Sequence, residues 1–222
     1  VRAIPEDIIQ YPFLAEPYAF KVCRIEPENN IEMVLQAFSY FAKYPLVLVG
    51  NWNKDAYSIN LRATYGTQKN LLLLDPIYDQ REIDLLRGNA SLYIHGHSVG
   101  GTNPSLVEAM YLGLPVLSFN VSYNRTTTEG SALYFNHSEE LNFLLNTISP
   151  AALKQVGKKM KEIANRRYRW DLIARKYQAL VEKACSAQYR KDLTPSLQRY
   201  KKEVLAEHGA GHLATHHLFF EK

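Results

Sequence analysis

Short apolar runs alternate with amphipathic segments along the first two thirds of the chain. The runs are apolar at nearly every position, which is typical of strands buried on both faces of a parallel sheet, whereas the segments between them have helical spacing. Six strands are predicted, at residues 18–23, 46–50, 71–74, 90–94, 115–119 and 132–135. Helices are predicted between them at residues 30–41, 57–65, 80–86 and 105–112.

Strands separated by helices predict an α/β fold, a doubly wound Rossmann-like parallel sheet with C-terminal helices. Beyond residue 135 the pattern becomes helical, with helices predicted at 139–146, 150–164, 171–187 and 195–207. We therefore predict a nucleotide-binding domain over residues 1–187, whose first part, 1–15, is an interdomain lead-in. A helical extension over residues 188–222 follows, and the length of 222 residues suits one large α/β domain with an appendage.

The segment HGHSVGGTNPSLVE, residues 95–108, carries the strongest chemical signal. A predicted strand opens there into a loop rich in glycine, and Asn103-Pro104 begins a helix, since Asn is a favoured N-cap and Pro a favoured first helical residue. Such a loop presents backbone amides to an anion at the positive end of a helix. We predict that the amides of Ser105 and Leu106 bind a phosphate and that their side chains matter little.

Glu108 extends this prediction from a phosphate to a nucleotide. It lies three residues after Ser105, on the same helix face. A carboxylate is a poor neighbour for phosphate but a good bidentate acceptor for a ribose diol beyond it. The arrangement therefore indicates a nucleoside diphosphate; the alternative is that Glu108 only complements the helix dipole.

Polar residues follow the predicted strands at the edge where doubly wound sheets bind ligands. Arg24 follows the first strand, Gly50 the second, Asp75 the third, and His95 and His97 the fourth. A stretch from Asn120 to Arg125 follows the fifth. This clustering is harder to explain by structure alone than any single residue.

Four motifs resemble the C-terminal, donor-binding half of a GT-B glycosyltransferase of the retaining family four. They are VCRIEPENN at 22–30, LVGN at 48–51, the segment 100–116 with its EAM-x-x-G-x-P tail, and YRWDLIARKY at 168–177. The resemblance covers residues 15–185. Within the family, RIEPENN together with the 95–110 segment is similar to bacterial rhamnosyltransferase-like proteins of surface polysaccharide synthesis.

The resemblance implies roles for individual residues. Arg24 would clamp the diphosphate with help from Arg125, because Asn29 occupies the position of the family's phosphate-binding lysine. Gly100 occupies the position of a glutamate that contacts the donor sugar, which favours a deoxy sugar, and Glu108 matches the glutamate that holds ribose. The predicted donor-binding residues are Arg24, Asn29, Gly50, Ile77, Tyr78, His95, His97, Gly100, Gly101, Thr102, Asn103, Ser105, Leu106, Glu108 and Arg125; Arg24 and His97 are also predicted to act in catalysis.

Several of these residues have a structural alternative. Arg24 could form a salt bridge with Glu26 or Glu28, the two histidines could be satisfied structural groups, and Tyr78 could pack rather than bind the base. A metal site at the histidine pair is disfavoured because no carboxylate or third histidine lies nearby in the sequence. We predict no metal and no cofactor, since the sequence has no Asp-x-Asp.

The resemblance implies a retaining hexosyl-type glycosyltransferase that uses a UDP- or dTDP-sugar, dTDP-rhamnose among them. The acceptor would be a growing polysaccharide or a lipid-linked saccharide held by an N-terminal acceptor domain that is absent from this chain, so the chain alone is expected to be inactive. The alternatives are a non-catalytic domain that binds nucleotide or protein, and a nucleotide-sugar epimerase of GT-B type.

Charge adds an expectation about location. Residues 151–202 contain fifteen Lys and Arg against four Asp and Glu, in a chain whose net charge is +4. Such a basic region is most often a solvated helix surface, but it is also compatible with a peripheral membrane contact. No base-reading motif is present, so no nucleic-acid partner is expected. Without an apolar stretch of transmembrane length or a signal-like start, we expect a cytoplasmic protein, peripheral on the inner membrane face.

Overall fold

The structure, a computed structural model, describes residues 2–40 and 42–186. Its centre is a parallel sheet of six strands in the order β3-β2-β1-β4-β5-β6. The strands are β1 (Ala19–Val22), β2 (Leu46–Val49), β3 (Leu71–Leu74), β4 (Leu92–His95), β5 (Val116–Phe119) and β6 (Leu133–Phe135). The predicted fold class is confirmed, and all six strands fall within the predicted segments to within one or two residues at each end.

Helices connect and follow the strands. They are α1 (Pro5–Gln10), α2 (Ile31–Ser39), α3 (Ala56–Tyr65), α4 (Gln80–Gly88), α5 (Pro104–Leu112), α6 (Ser122–Thr127), α7 (Ser138–Thr147), α8 (Pro150–Arg167) and α9 (Trp170–Ser186). Two short 3₁₀ turns lie at Pro12–Ala15 and Pro27–Asn29. Local chemistry sets several helix starts: the Asp55 carboxylate accepts from the Ser58 amide and the Asp79 carboxylate from the Glu82 amide, both as N-caps.

Alternate residues of each strand enter different halves of the core. On β2, Leu46 and Leu48 pack into a cluster with α2 and α7 residues, whereas Val47 and Val49 pack on the other face with α4 residues. All four are at most 2% exposed. A strand covered by helices on both faces needs apolar side chains at every position, which explains the unbroken apolar runs in the sequence.

The order of the strands places a crevice at one point of the sheet. β1 pairs in parallel with β2 on one side and with β4 on the other, so the connections leave β1 and β4 in opposite directions. In doubly wound sheets this switch point opens a crevice outside the carboxyl ends of the two strands. The loops after β1 and β4 therefore face the same space.

The sequence pattern missed α1 and α6. Helix α1 lies within the predicted lead-in. Helix α6, with the sequence SYNRTT, has no apolar periodicity and is held by side-chain contacts: Asn124 Nδ2 donates to the carbonyl oxygens of Phe119, at 2.9 Å, and His97, at 3.0 Å. The helix predicted at 30–41 ends earlier, at Ser39.

The C-terminal part of the chain is helical as far as Ser186. The helix predicted at 195–207 lies outside the described residues. The chain divides into two compact units with the boundary between Lys161 and Glu162, and the division predicted at 187/188 stays a prediction. None of the described helices combines the length and the apolarity needed to cross a membrane.

Candidate functional site

A cavity of about 540 Å³ opens at the switch point, between the loops that follow β1 and β4 and the start of α5. Seven of the predicted donor-binding residues line it: Arg24, Asn29, His97, Gly100, Asn103, Ser105 and Glu108. The crevice that sheet topology requires is therefore the place where seven of the fifteen predicted donor-binding residues converge.

Arg24 stands at the mouth of this cavity, directly after β1. Its side chain is 79% exposed, and Nε lies 3.3 Å from Oε2 of Glu26, whose other carboxylate oxygen pairs with Lys54. The alternative of a salt bridge to Glu26 is thus present in the structure. Because water screens the exposed guanidinium and Glu26 keeps Lys54 as a partner, the guanidinium can leave Glu26 for a better anion at little cost.

The loop that carries Arg24 is fixed by buried amides. Asn29 is 3% exposed and donates from Nδ2 to the Arg24 carbonyl oxygen at 2.7 Å. Asn30 donates to the Gly96 carbonyl oxygen at 2.8 Å, which ties the loop after β1 to the loop after β4. Asn29 therefore lines the cavity as the anchor of its loop, and its amide is engaged before any ligand arrives.

The start of α5 has the predicted N-cap, but the cap itself uses the Ser105 amide, so that amide is not open to a ligand. Asn103 Oδ1 accepts from the Ser105 amide at 3.0 Å and from the Ser105 hydroxyl at 2.7 Å. That hydroxyl also accepts from Tyr93 Oη at 2.9 Å. The Ser105 side chain thus has a structural role that the sequence did not indicate, since it links the cap to β4. The Leu106 side chain is fully buried, so only its backbone could serve a ligand.

Glu108 has a partner that sequence reasoning missed. Its carboxylate lies 2.6 Å from Nη1 of Arg87, an arginine of α4 that is 5% exposed and lines the same cavity. Asp84 is a second, more distant partner of Arg87, with Oδ1 3.8 Å from Arg87 Nη1. Nothing in the spacing of residues 87 and 108 signals the pair, which forms only because α4 and α5 pack side by side on one face of the sheet.

His95 and His97 stack face to face, with ring centroids 4.4 Å apart and planes 9° from parallel. His95 is completely buried between Tyr93 and His97, so the predicted direct donor contact of His95 does not fit its position. His97 lines the cavity. The expectation that alternate residues put both rings on one side is confirmed, but only one ring reaches the cleft.

Burial keeps both imidazoles neutral. It lowers the pKa of His97 to about 3, with the positive charges of Lys21 and Arg24 acting in the same direction. Burial also holds the pKa of His95 well below its usual range, helped by His97 and Lys21. Nδ1 of His97 makes no hydrogen bond to any other residue of the described ranges. The cleft thus has a neutral imidazole on its wall, and the unpartnered Nδ1 of that imidazole is buried.

The remaining predicted residues lie outside the cavity lining. They are Gly50, Ile77, Tyr78, His95, Gly101, Thr102, Leu106 and Arg125. Arg125 donates from Nε to Asn120 Oδ1 at 2.6 Å and covers the Tyr134 ring at 4.1 Å. Tyr78 is 89% exposed, so the packing alternative does not describe it. Gly50 is glycine for a steric reason: a Cβ there would stand 2.8 Å from the Cys23 carbonyl oxygen.

Metal-ligating groups are dispersed in the part of the chain that the structure describes. Over residues 2–40 and 42–186, no three His, Cys, Asp or Glu side chains are placed to hold a metal ion together. The charged groups of the cleft are instead two arginines, Arg24 and Arg87, and two carboxylates, Glu28 and Glu108. Together with the N-capped start of α5, these groups can bind a phosphate and a diol.

The family model "Glycosyl transferases group 1" matches residues 5–132 of this chain. No curated protein matches the chain at a significant level. The sequence match thus covers β1 to α6 and contains every residue of the cavity.

Solved structures share the fold at low sequence identity. Sucrose-phosphate synthase from Thermosynechococcus elongatus superposes with a TM-score of 0.69 and 19% identity over 84% of this chain and 50% of that chain. HepE from Anabaena in complex with UDP-glucose superposes with a TM-score of 0.68 and 16% identity over 82% of this chain and 54% of that chain. An E. coli trehalose-6-phosphate protein bound with UDP-2-fluoro glucose superposes with a TM-score of 0.59 and 14% identity over 74% of this chain and 44% of that chain. The chain spans about half the length of these GT-B structures.

Proposed function

Because the chain belongs to the glycosyl transferases group 1 family, we propose that its cleft binds the nucleoside diphosphate of a sugar donor. One observation carries the proposal. A flexible arginine, a capped helix start and an arginine-held carboxylate line one cavity at the switch point of a doubly wound sheet. The HepE structures contain UDP-glucose or UDP, and this supports a uridine or thymidine diphosphate as the donor class.

The donor parts are assigned by chemistry. Arg24 takes the diphosphate, since a guanidinium matches phosphate oxygens in a bidentate fork and stays charged. The α5 start adds its dipole and the amides beyond Ser105. Glu108 takes the ribose: a carboxylate has about four acceptor positions, so the contact with Arg87 leaves room for a diol. His97 faces the sugar end as a neutral hydrogen-bonding group.

The reaction that these parts support is transfer of a hexosyl group with loss of a nucleoside diphosphate. Arg24 and the helix start are in place before the reaction, so they stabilise the charge that develops on the leaving diphosphate. No Asp-x-Asp metal motif stands in the sequence, and these groups are proposed to offset the charge without a metal or other cofactor. Retention of configuration follows the family resemblance.

The finer assignments belong to the same proposal. The donor is a UDP- or dTDP-sugar, with dTDP-rhamnose favoured by the likeness to rhamnosyltransferase-like proteins. Glycine at position 100, where relatives have a glutamate that contacts the donor sugar, favours a deoxy sugar. The acceptor is a polysaccharide or lipid-linked saccharide held by a further domain, at the cytoplasmic face of a bacterial membrane.

Calorimetric titration of the chain with UDP, dTDP and UMP at one ionic strength tests the proposal. Diphosphates should bind more tightly than the monophosphate, and Arg24→Ala should weaken UDP by roughly 10–100-fold, as expected for the loss of a charge-assisted contact. Arg62→Ala is the matched control, because Arg62 is also an exposed arginine paired with a carboxylate, Asp75, but lies outside the cavity.

Each result has a defined meaning. Equal losses for UDP and uridine in Arg24→Ala would remove Arg24 from the diphosphate site. Binding of nucleotide without transfer in the longer protein would favour a non-catalytic domain, and turnover of a nucleotide-sugar without acceptor would favour an epimerase. Failure of the chain and of the longer protein to bind any nucleoside diphosphate would reject the proposal.

A further inference from the structure

Lys21 is a completely buried lysine in the strand that leads into the cleft. It lies on β1, with its side chain on the face that Ala19 occupies, and its ammonium group reaches the carboxyl edge of the sheet. A Cβ placed on Gly96 would stand 3.1 Å from Lys21 Nζ and would collide with the Asn29 carbonyl oxygen. Nζ therefore lies between the two loops that form the wall of the cavity, behind Asn29 and His97.

The ammonium group has no partner that accounts for its burial. Nζ makes no hydrogen bond to an oxygen or nitrogen atom of residues 2–40 and 42–186 and no ion pair with a carboxylate there; its polar neighbour is the Cys23 thiol, a weak hydrogen-bond acceptor. Burial lowers the pKa of Lys21, and the nearby Cys23 sulfur only partly opposes this. An uncompensated buried charge is among the costliest features a fold can carry, and an apolar residue of similar volume would be more stable there.

The features that would explain such a charge lie on the other side of the Gly96 backbone. There Arg24 and the start of α5 favour an anion, whereas the neutral His97 and the carboxylates of Glu28 and Glu108 complete the polar lining. The positive charge of Lys21 is felt at His97, whose pKa it lowers together with Arg24. The cavity thus lies within the electrostatic reach of Nζ.

We propose that Lys21 is a positioning charge for the diphosphate: it stays buried behind the Gly96–His97 wall and attracts the diphosphate without touching it. The inference rests on the proposed function, since the ligand is the same nucleoside diphosphate. A buried cation acts through a medium of low polarity, so its effect on a nearby anion is larger than that of an exposed lysine. The cost of burying the ammonium is offset when the anion is bound.

The groups around Lys21 fix the expected pH dependence. Cys23 lies on its own strand, His95 and His97 at the end of β4, and Arg24 with Glu26 on the loop after β1. The imidazoles are neutral at and above neutral pH, and burial raises the pKa of Cys23. Lys21 is therefore the group of this set that loses its charge first as the pH rises, and the preference for diphosphate should decline with it.

The test compares Lys21→Met with Lys43→Met. Methionine matches the length of lysine without charge, and Lys43 stands ahead of β2, at the opposite edge of the sheet. Lys21→Met should lower the affinity for UDP about tenfold and the affinity for UMP by less than about threefold. It should also raise the melting temperature, because a buried charge has been removed. Lys43→Met should change UDP binding by less than about twofold.

A second measurement starts from the wild-type chain. Calorimetry in buffers of different ionisation enthalpy, repeated over a series of alkaline pH values, should show more proton uptake with UDP than with UMP, since the bound diphosphate raises the proton affinity of Lys21. The difference should vanish in Lys21→Met, where the titration of the ligands is unchanged.

The outcomes separate the two proposals. The role of Lys21 is rejected, and the donor site stands, if wild type binds UDP and Lys21→Met binds it with the same affinity. The same holds if Lys21→Met lowers the affinities for UDP and for UMP by the same factor. A lower melting temperature with unchanged preference would make Lys21 a structural residue. If wild type binds no nucleoside diphosphate, both proposals fall together.

Discussion

The outer strands β2 and β3 and the central strands β1 and β4 have the same length but different side chains. β2 and β3 read LVLV and LLLL, whereas β1 reads AFKV and β4 reads LYIH. Among the strands described, Lys21 and His95 are the buried basic residues, and both lie next to the switch point. The outer pair carries only apolar side chains, whereas the central pair, which is at least as buried, also carries the basic side chains beside the cleft. The two kinds of strand should therefore respond differently to substitution.

The largest effect is expected in the apolar strands. Leu48→Ala in β2 removes a fully buried side chain from the core and should cost about 2–5 kcal/mol of unfolding free energy, measured by urea denaturation. Ile59→Ala on α3, where the side chain is 53% exposed, is the aliphatic control and should cost less than about 1 kcal/mol. The folded fraction of Leu48→Ala should keep its preference for UDP over UMP. Loss of that preference would show that the outer strands also determine nucleotide binding, contrary to the comparison.

A pH-dependent loss of stability is expected from the central strands. The unfolded chain protonates its histidines near about pH 6.5, whereas the folded chain keeps His97 neutral until about pH 3, and burial holds the pKa of His95 well below its usual range. The unfolded state then binds more protons, so stability falls as the pH falls below about 6.5. For His97 full linkage at about pH 5 gives about 2 kcal/mol, reduced to about 1 by its partial exposure, and His95 adds to the loss in the same direction.

Chemical denaturation between about pH 7.5 and about pH 5 measures this loss. The double variant His95→Gln/His97→Gln should flatten the curve in that interval. Carboxylates such as Glu26, whose pKa is lowered mainly by its hydrogen bond with Lys54, affect stability only below about 4.5. A wild-type curve that is already flat down to pH 5 would show that these imidazoles are not desolvated as the structure implies.

An intermediate effect is expected at the pair between α4 and α5. Glu108→Gln leaves Arg87 buried without its carboxylate and should cost about 1–3 kcal/mol. Arg87→Met should cost less when Glu108→Gln is already present, which a double-mutant cycle measures directly. If the two costs simply add, the 2.6 Å contact does not position Glu108. Glu108→Gln should also lose the preference for a ribose with intact hydroxyls.

The same comparison explains how far the sequence predicts this molecule. Unbroken apolar runs identify β2 and β3 because burial alone determines which residue types these strands contain. Lys21 was readable as a charged residue inside an apolar run, but only the structure shows that its ammonium group reaches the cleft wall. The rings of His95 and His97 lie on the same side of the chain. Which of the two rings is shielded from the cleft depends on the packing of α5 and α6. Arg87 carries no sequence signal, since its pairing arises from helix packing.

The smallest effect is expected in the glycine loop after β4, where two adjacent glycines differ only in backbone conformation. A Cβ at Gly100 or at Gly101 would meet no atom within 4 Å, but Gly100 has a φ of +121°. Gly100→Ala should therefore cost about 1 kcal/mol through backbone strain, whereas Gly101→Ala should stay within about 0.5 kcal/mol of wild type. Because Gly100 lines the cavity and Gly101 does not, UDP binding should weaken in Gly100→Ala alone. Equal stability and equal binding in both variants would mean that the loop adapts to a side chain, and that glycine at position 100 is not needed to shape the cleft.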